Sequence, residues 1–188
     1  MNPNAAHEPM IKIENLYKKY GDNVVLDGFN LNLYQGENLV IMGKSGSGKS
    51  VMIKCLIGLE IPDSGTIEIM SQKLEHLSLK ALDEIRADIG FLFQGSALYD
   101  SMTVRENLEF PLRRHISKFG NVKDTLPLVE EALQNVGLKN VIDLMPNELS
   151  GGMKRRVALA RTLILKPKII IYDEPTTGLD PITSKEII

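Results

Sequence analysis

The sequence predicts an α/β fold that opens with antiparallel strands and carries a block of helices in its second half. Three observations support this. The opening alternates as half-buried strands do, first at Ile11 and Ile13 and then at Phe29, Leu31 and Leu33 before a turn at Gln35-Gly36. Two short continuous apolar runs, "NLVIMG" and "KIIIYDE", have the pattern of strands buried on both faces of a parallel sheet. Between those runs, from about Gly95 to about Leu165, apolar residues recur at helical spacing.

Taken in order, "NLVIMG" leads into a helix with Met52, Cys55, Leu56 and Leu59 on one stripe, ending near Gly58 and Pro62. "GTIEIM" and "DIGFLFQ" are predicted strands. "TVRENLEFPLRRH" and the segment bearing Leu126, Val129, Leu133 and Val136 are predicted helices, and Met153, Val157, Ala160 and Ile164 mark the buried face of a third. A helical block between two parallel-type strands implies an α/β core with an inserted helical lobe.

A length of 188 residues suits one domain with such an insertion and allows a real core. Hydrophobic residues at 43% and charged residues at 24% are ordinary for a globular chain. A formal charge of −2 gives no basic field, so nucleic acid is not an expected partner. The one cysteine, Cys55, lies among apolar residues and is expected in the core rather than as a nucleophile. The histidines are scattered, without metal-site spacing. The N-terminus lacks a signal-peptide pattern, and no apolar run approaches the ~18 residues of a membrane span. Any membrane role is therefore expected to be peripheral.

Two segments carry chemistry. "GKSGSGKS" matches the phosphate-binding loop pattern G-x-x-x-x-G-K-[ST] across Gly43, Lys44, Ser45, Gly46, Ser47, Gly48, Lys49 and Ser50, with Val51 following. Glycines let the backbone N–H groups converge on phosphate oxygens, and the helix start adds positive potential. Lys49 is expected to reach the outer phosphates, and the Ser50 hydroxyl to ligate Mg²⁺. "KIIIYDEP" delivers Asp173 and Glu174 at a strand end, where ligands sit in open α/β sheets. Asp173 is the candidate holder of Mg²⁺ through water, and Glu174 the candidate general base. Together they indicate a P-loop NTPase core, and kinases as well as RecA-like proteins share both elements.

"LSGGM", from Leu149 to Met153, resembles the signature motif of ATP-binding cassette (ABC) ATPases, LSGGQ in its usual form. The resemblance spans the chain and orders its other motifs. It implies that Tyr20 stacks on adenine, that Gln94 is the Q-loop glutamine touching Mg²⁺ and the attacking water, and that "TGLD" up to Asp180 is the D-loop. Alone, Tyr20 would be strand packing and Gln94 a polar cap; their register with the other motifs assigns them roles. It further implies that Ser150, Gly151 and Gly152 cap the γ-phosphate held by the loop of a second copy, so that two chains complete each site. The cofactors implied are ATP and Mg²⁺.

Residues 1–188 are then one ABC nucleotide-binding domain with about 96–165 as its helical subdomain. Two departures stand out. Met153 replaces the usual glutamine, and the family's switch histidine is missing after the D-loop. The chain is therefore expected to be C-terminally incomplete, binding Mg-ATP but hydrolysing it poorly. "FLFQGSALYDSMTVRENLEFPL", "LMPNELSGGMKRRVALAR" and "DEPTTGLDPIT" are similar to the MlaF-type ATPases of Mce-associated lipid transporters. ATPases of amino-acid importers and lipoprotein-releasing complexes share much of these segments. The lipid-transport resemblance implies an ATP-driven homodimer beneath two membrane permeases, peripheral on the cytoplasmic face of the inner membrane, with an Mce-domain substrate-binding protein as partner. A soluble ABC ATPase acting on DNA or ribosomes fits poorly, since the single cassette has neither coiled-coil heptads nor a second copy of its motifs. A nucleotide-binding module without catalysis is the remaining alternative.

Overall fold

Alternating apolar side chains build the opening of the chain into a four-stranded antiparallel sheet in the computed structural model, which describes residues 8–92, 96–119 and 124–172. Strands β1 (Ile11–Tyr20), β2 (Asn23–Leu33), β3 (Ser64–Ile69) and β4 (Gln72–Lys73) lie in the order β2-β1-β3-β4. Ile11, Ile13, Ile67 and Ile69 turn inward from facing positions of β1 and β3. Strict alternation would bring Asn15 inward next. Instead Asn15 adopts φ 49°, the register slips by one residue, and Leu16 becomes the next buried side chain. The Asn30 carboxamide oxygen accepts the displaced Asn15 N–H at 2.9 Å, so the bulge leaves that donor satisfied.

Helix α1 (Lys49–Leu56) buries Met52, Cys55 and Leu56, as its spacing predicts. Leu59 was expected on the same stripe but is 62% exposed. The helix stops first: Gly58 takes φ 67°, its N–H bonds to the Cys55 carbonyl, and Leu59 N–H bonds to Lys54, which is a Schellman ending. From helix α2 (Leu79–Ala87), the Arg86 guanidinium donates to the Ile57 and Gly58 carbonyls at 2.8 and 2.9 Å and satisfies acceptors beyond that end.

"NLVIMG" departs from expectation more sharply. Residues 38–42 form no strand, and their side chains run from 38% exposed at Ile41 to 88% at Met42. A strand holds its shape only through a ladder to a neighbour, and among the described residues this run has no backbone hydrogen-bond partner.

The chain divides at residue 86, and the second unit has its own core. Strands β5 (Ile89–Leu92) and β6 (Ile169–Tyr172) pair in parallel, Ile89 opposite Ile169. Ile169 is buried, but Ile170 and Tyr172 are 38% and 41% exposed, so β6 is not the doubly buried strand its composition predicts. Its one ladder among the described residues is to β5. The Asp88 carboxylate ties the pair's entrance together, accepting from Lys118 and Lys168.

Three helices, α3 (Val104–Arg114), α4 (Leu126–Asn135) and α5 (Gly151–Leu163), enclose Val104, Leu108, Leu112, Val129, Leu133, Val157 and Ala160. Each large side chain there stabilises by about 1.5–3 kcal/mol on burial. Thr103 starts α3 with a reciprocal capping box to Glu106.

Two polar residues of α3 are buried as well. Asn107 accepts the Tyr99 N–H at 2.8 Å and donates to the carbonyls of Tyr99, Met102 and Thr103, fixing the loop before its own helix. Burial alone would raise the Glu109 carboxyl, but hydrogen bonds from Arg105, Arg113 and Thr125 outweigh it and hold it at about 2.

Candidate functional site

The phosphate-loop residues lie between the 38–42 run and α1. Gly46 and Gly48 have φ 79° and 90°, backbone that L side chains rarely adopt. At Gly48 the requirement is twofold, because an added Cβ would also sit 2.7 Å from the Val25 carbonyl oxygen of β2. The loop therefore rests directly on the opening sheet. Ser47 N–H closes the turn onto the Lys44 carbonyl at 3.1 Å. The Lys49 ammonium folds into the loop and donates to the Gly43 and Lys44 carbonyls at 2.7 and 3.0 Å.

Helix α1 starts without a side-chain cap, and its first turn holds no acidic residue. Its leading N–H groups therefore have no intrahelical acceptor and face no competing negative charge. Ser45 and Ser50 are exposed, and Val51 is half-buried. A backbone cradle, an internal ammonium and an uncapped helix start together suit a polyphosphate. Cys55, on the inner side of the same helix, is buried; burial pushes its thiol up, consistent with packing rather than reactivity.

Tyr20 ends β1 at a tight hairpin, paired with Asn23, and is 46% exposed. Its surroundings were not legible in the motif. The Lys18 ammonium lies over its ring, 5.4 Å from the centroid. That ammonium donates to the Ile61 carbonyl at 2.7 Å and pairs with Glu60 and Asp63, each at 3.4 Å. Asp63 also accepts the Lys19 N–H at 2.8 Å. Partial desolvation and then the nearby Glu60 charge push the Tyr20 phenol up. The two-residue spacing of Lys18 and Tyr20 in "YKKY" is the available signal, since residues two apart on a strand share a face.

In the second unit, Ser150 caps α5 with extended backbone, its hydroxyl accepting the Met153 N–H at 3.3 Å, and Lys154 N–H bonds to its carbonyl. Helix geometry leaves the Gly151 and Gly152 N–H groups without intrahelical acceptors. Among the described residues, a Cβ at either glycine would meet nothing within 4 Å. Buried Leu149 anchors it to the helical core, and Glu148 bonds back to the Met145 N–H at 2.7 Å just before it.

Gln94, Asp173, Glu174 and Asp180 lie outside the described residues. For Mg²⁺, the Ser50 hydroxyl is the predicted donor that is described. Among the described residues no group of three or more His, Cys, Asp or Glu could hold a metal, and no helix is long and apolar enough to cross a membrane.

Comparison with known proteins places these features in a wider set. The ABC transporter domain model matches residues 26–177. The chain is 40% identical to the methionine import ATP-binding protein MetN of Clostridium tetani, over 95% of this chain and 55% of that protein. It is also 40% identical to the intermembrane phospholipid transport system ATP-binding protein MlaF of Haemophilus influenzae, over 97% of this chain and 68% of that one. It thus spans little more than half of the methionine-import relative. Among solved structures, the ATP-binding cassette MJ0796, a dimer in a post-hydrolysis state bound to ADP and Pi, superposes with a TM-score of 0.81 at 38% identity, covering 95% of this chain and 79% of that one.

Proposed function

The chain belongs to the ABC transporter family, and from that premise we propose that it is the ATP-binding, ATP-hydrolysing subunit of a membrane transporter. The supporting observation is the phosphate loop: Lys49 folded within it, at the uncapped start of α1. There Lys49 can exchange the Gly43 and Lys44 carbonyls for the outer phosphate oxygens. The Ser50 hydroxyl is the described ligand offered to Mg²⁺. When bound, the ion supplies Lewis-acid polarisation of the phosphate oxygens. Tyr20 offers its exposed ring to the adenine.

Asp173 and Gln94 as further holders of the ion, Glu174 as the base that takes a proton from the attacking water, and Asp180 as the D-loop residue are carried over from the family motifs. Residues 1–188 act as one nucleotide-binding domain, with about 96–165 as the helical subdomain. In a homodimer, Ser150, Gly151 and Gly152 of one copy cap the γ-phosphate on the other, a role supported by the open N–H groups of α5. The dimer sits peripherally on the cytoplasmic face of the inner membrane, under two permease subunits.

For the transported substrate we favour a phospholipid, with an Mce-domain protein as partner. The support is the methionine in "LSGGM", the "DPIT" after the D-loop and the likeness to MlaF. Methionine import is the second reading, favoured by an equal identity to MetN.

Titration calorimetry tests nucleotide binding. Lys49→Ala removes charge-assisted bonds worth about 1.5–3 kcal/mol each, so ATP affinity is expected to fall roughly ten- to a hundredfold. Unchanged affinity would refute the assignment of the loop. With the assembled transporter, phospholipid rather than methionine is expected to stimulate ATP turnover; stimulation by methionine alone would reverse the substrate choice.

A further inference from the structure

The base platform and the phosphate loop are held by opposite ends of one short helix. Lys49 opens α1, and the segment following α1, residues 59–63, reaches back to the end of β1. There the Lys18 side chain, 11% exposed, is gripped by the Ile61 carbonyl and by the Glu60 and Asp63 carboxylates. Asp63 is itself fixed by the Lys19 N–H, and its own N–H bonds to the Tyr17 carbonyl at 2.9 Å. An ammonium held by three oxygens has little freedom, and this one lies over the Tyr20 ring.

Two consequences follow. The cation occupies one face of the ring, so a planar ligand has only the opposite face to stack on. A cation behind an aromatic ring also draws π density toward itself, which lessens the repulsion between the negative faces of two stacked rings.

We propose that Lys18 is a positioning residue for nucleotide binding: clamped by Glu60, Ile61 and Asp63, it makes Tyr20 a one-faced, electron-poor platform for the nucleobase. The inference rests on the nucleotide-binding reading above and adds a residue outside its motifs. It separates base recognition from phosphate recognition, because Lys18 donates to no atom of the phosphate loop among its hydrogen bonds.

Calorimetry on the 188-residue chain with Mg-ATP and with Mg-tripolyphosphate, which has no base, distinguishes the two contributions. Lys18→Met is expected to weaken ATP about fivefold, the equivalent of about 1 kcal/mol of cation–π support, and to leave tripolyphosphate within about twofold. Lys18→Arg is expected to restore most of the ATP affinity. In a Tyr20→Leu background, Lys18→Met should cost nothing further. Equal losses for both ligands, an unchanged ATP affinity, or a full fivefold loss without Tyr20 would each overturn the proposal. If Lys18→Met loses its folded circular dichroism, Asp63→Asn carries the same test: it removes the charge paired with Lys18 and must weaken ATP alone, by about twofold, with an equal or absent effect counting against the proposal. A wild-type chain that binds tripolyphosphate but gains nothing from the base would instead defeat the nucleotide reading, and the proposal with it.

Discussion

The two glycine-rich helix starts, one in each unit, solve the same problem in opposite ways. At α1 the cap position is Gly48, which offers no side chain to the first turn, and the loop supplies its own cation from Lys49. At α5 the cap is Ser150, whose hydroxyl already satisfies the Met153 N–H. The first start leaves its leading N–H groups without a side-chain acceptor. The second is largely self-sufficient and adds only two outward N–H groups. The glycines differ accordingly: Gly48 is demanded by its own fold, with positive φ and a carbonyl in the way, whereas Gly151 and Gly152 have open space where a Cβ would go. In the proposed function, the first start holds the nucleotide and the second closes over it from the other copy.

The sharpest test is Ser150→Arg, which puts a bulky cation in front of α5. ATP-driven dimerisation, followed by size-exclusion chromatography of a hydrolysis-deficient form, is expected to be abolished while ATP affinity per monomer stays put. A normal dimer would break the contrast at its root.

Gly48→Ala comes next. Left-handed backbone costs a non-glycine residue about 1–2 kcal/mol, and the clash with Val25 adds to it. A stability loss of about 2–3 kcal/mol in urea melts is expected, with ATP affinity down tenfold or more.

Acid sensitivity marks the second unit. The Glu109 carboxyl, held at about 2 against an ordinary 4.5, is a depressed acid, so its contribution is fully present above pH 4.5 and is lost as pH falls toward 2. Glu109→Gln is expected to cost about 1–3 kcal/mol at neutral pH and to flatten that acid limb of the stability profile. An unchanged limb would show that Glu109 does not carry it.

The smallest effect has the opposite sign. Gly152→Ala is expected to stabilise the isolated chain by about 0.5–1 kcal/mol, read as a rise in melting temperature, because alanine is the better helix former and meets no neighbour.

Much of this contrast is legible from residue order alone. The phosphate loop, the helix stripe of Met52, Cys55 and Leu56, the strands at "DIGFL" and "KIIIY", and the capped start of α5 each follow from local pattern, whereas the parallel pairing of those two strands does not. What escapes depends on partners distant in sequence. Asn107 and Glu109 look like the solvent face of an amphipathic helix, and only the loop at 99–103 and the arginines around them reveal why they are buried. Lys18 looks like one more surface lysine until the 59–63 segment folds over it. Asn15 sits in a regular alternation that a one-residue slip interrupts. The 38–42 run shows the converse: composition states what a segment can bury, not that a neighbour is there to cover it.

The carboxamide of Asn107 has a practical consequence for anyone who would exchange parts between relatives. It dictates the path of residues 99–103 from inside the following helix, through four hydrogen bonds. The loop's conformation is therefore not written in the loop. A graft of 99–103 alone transplants letters without their template, whereas 99–114 moves as one cassette that brings its own mould.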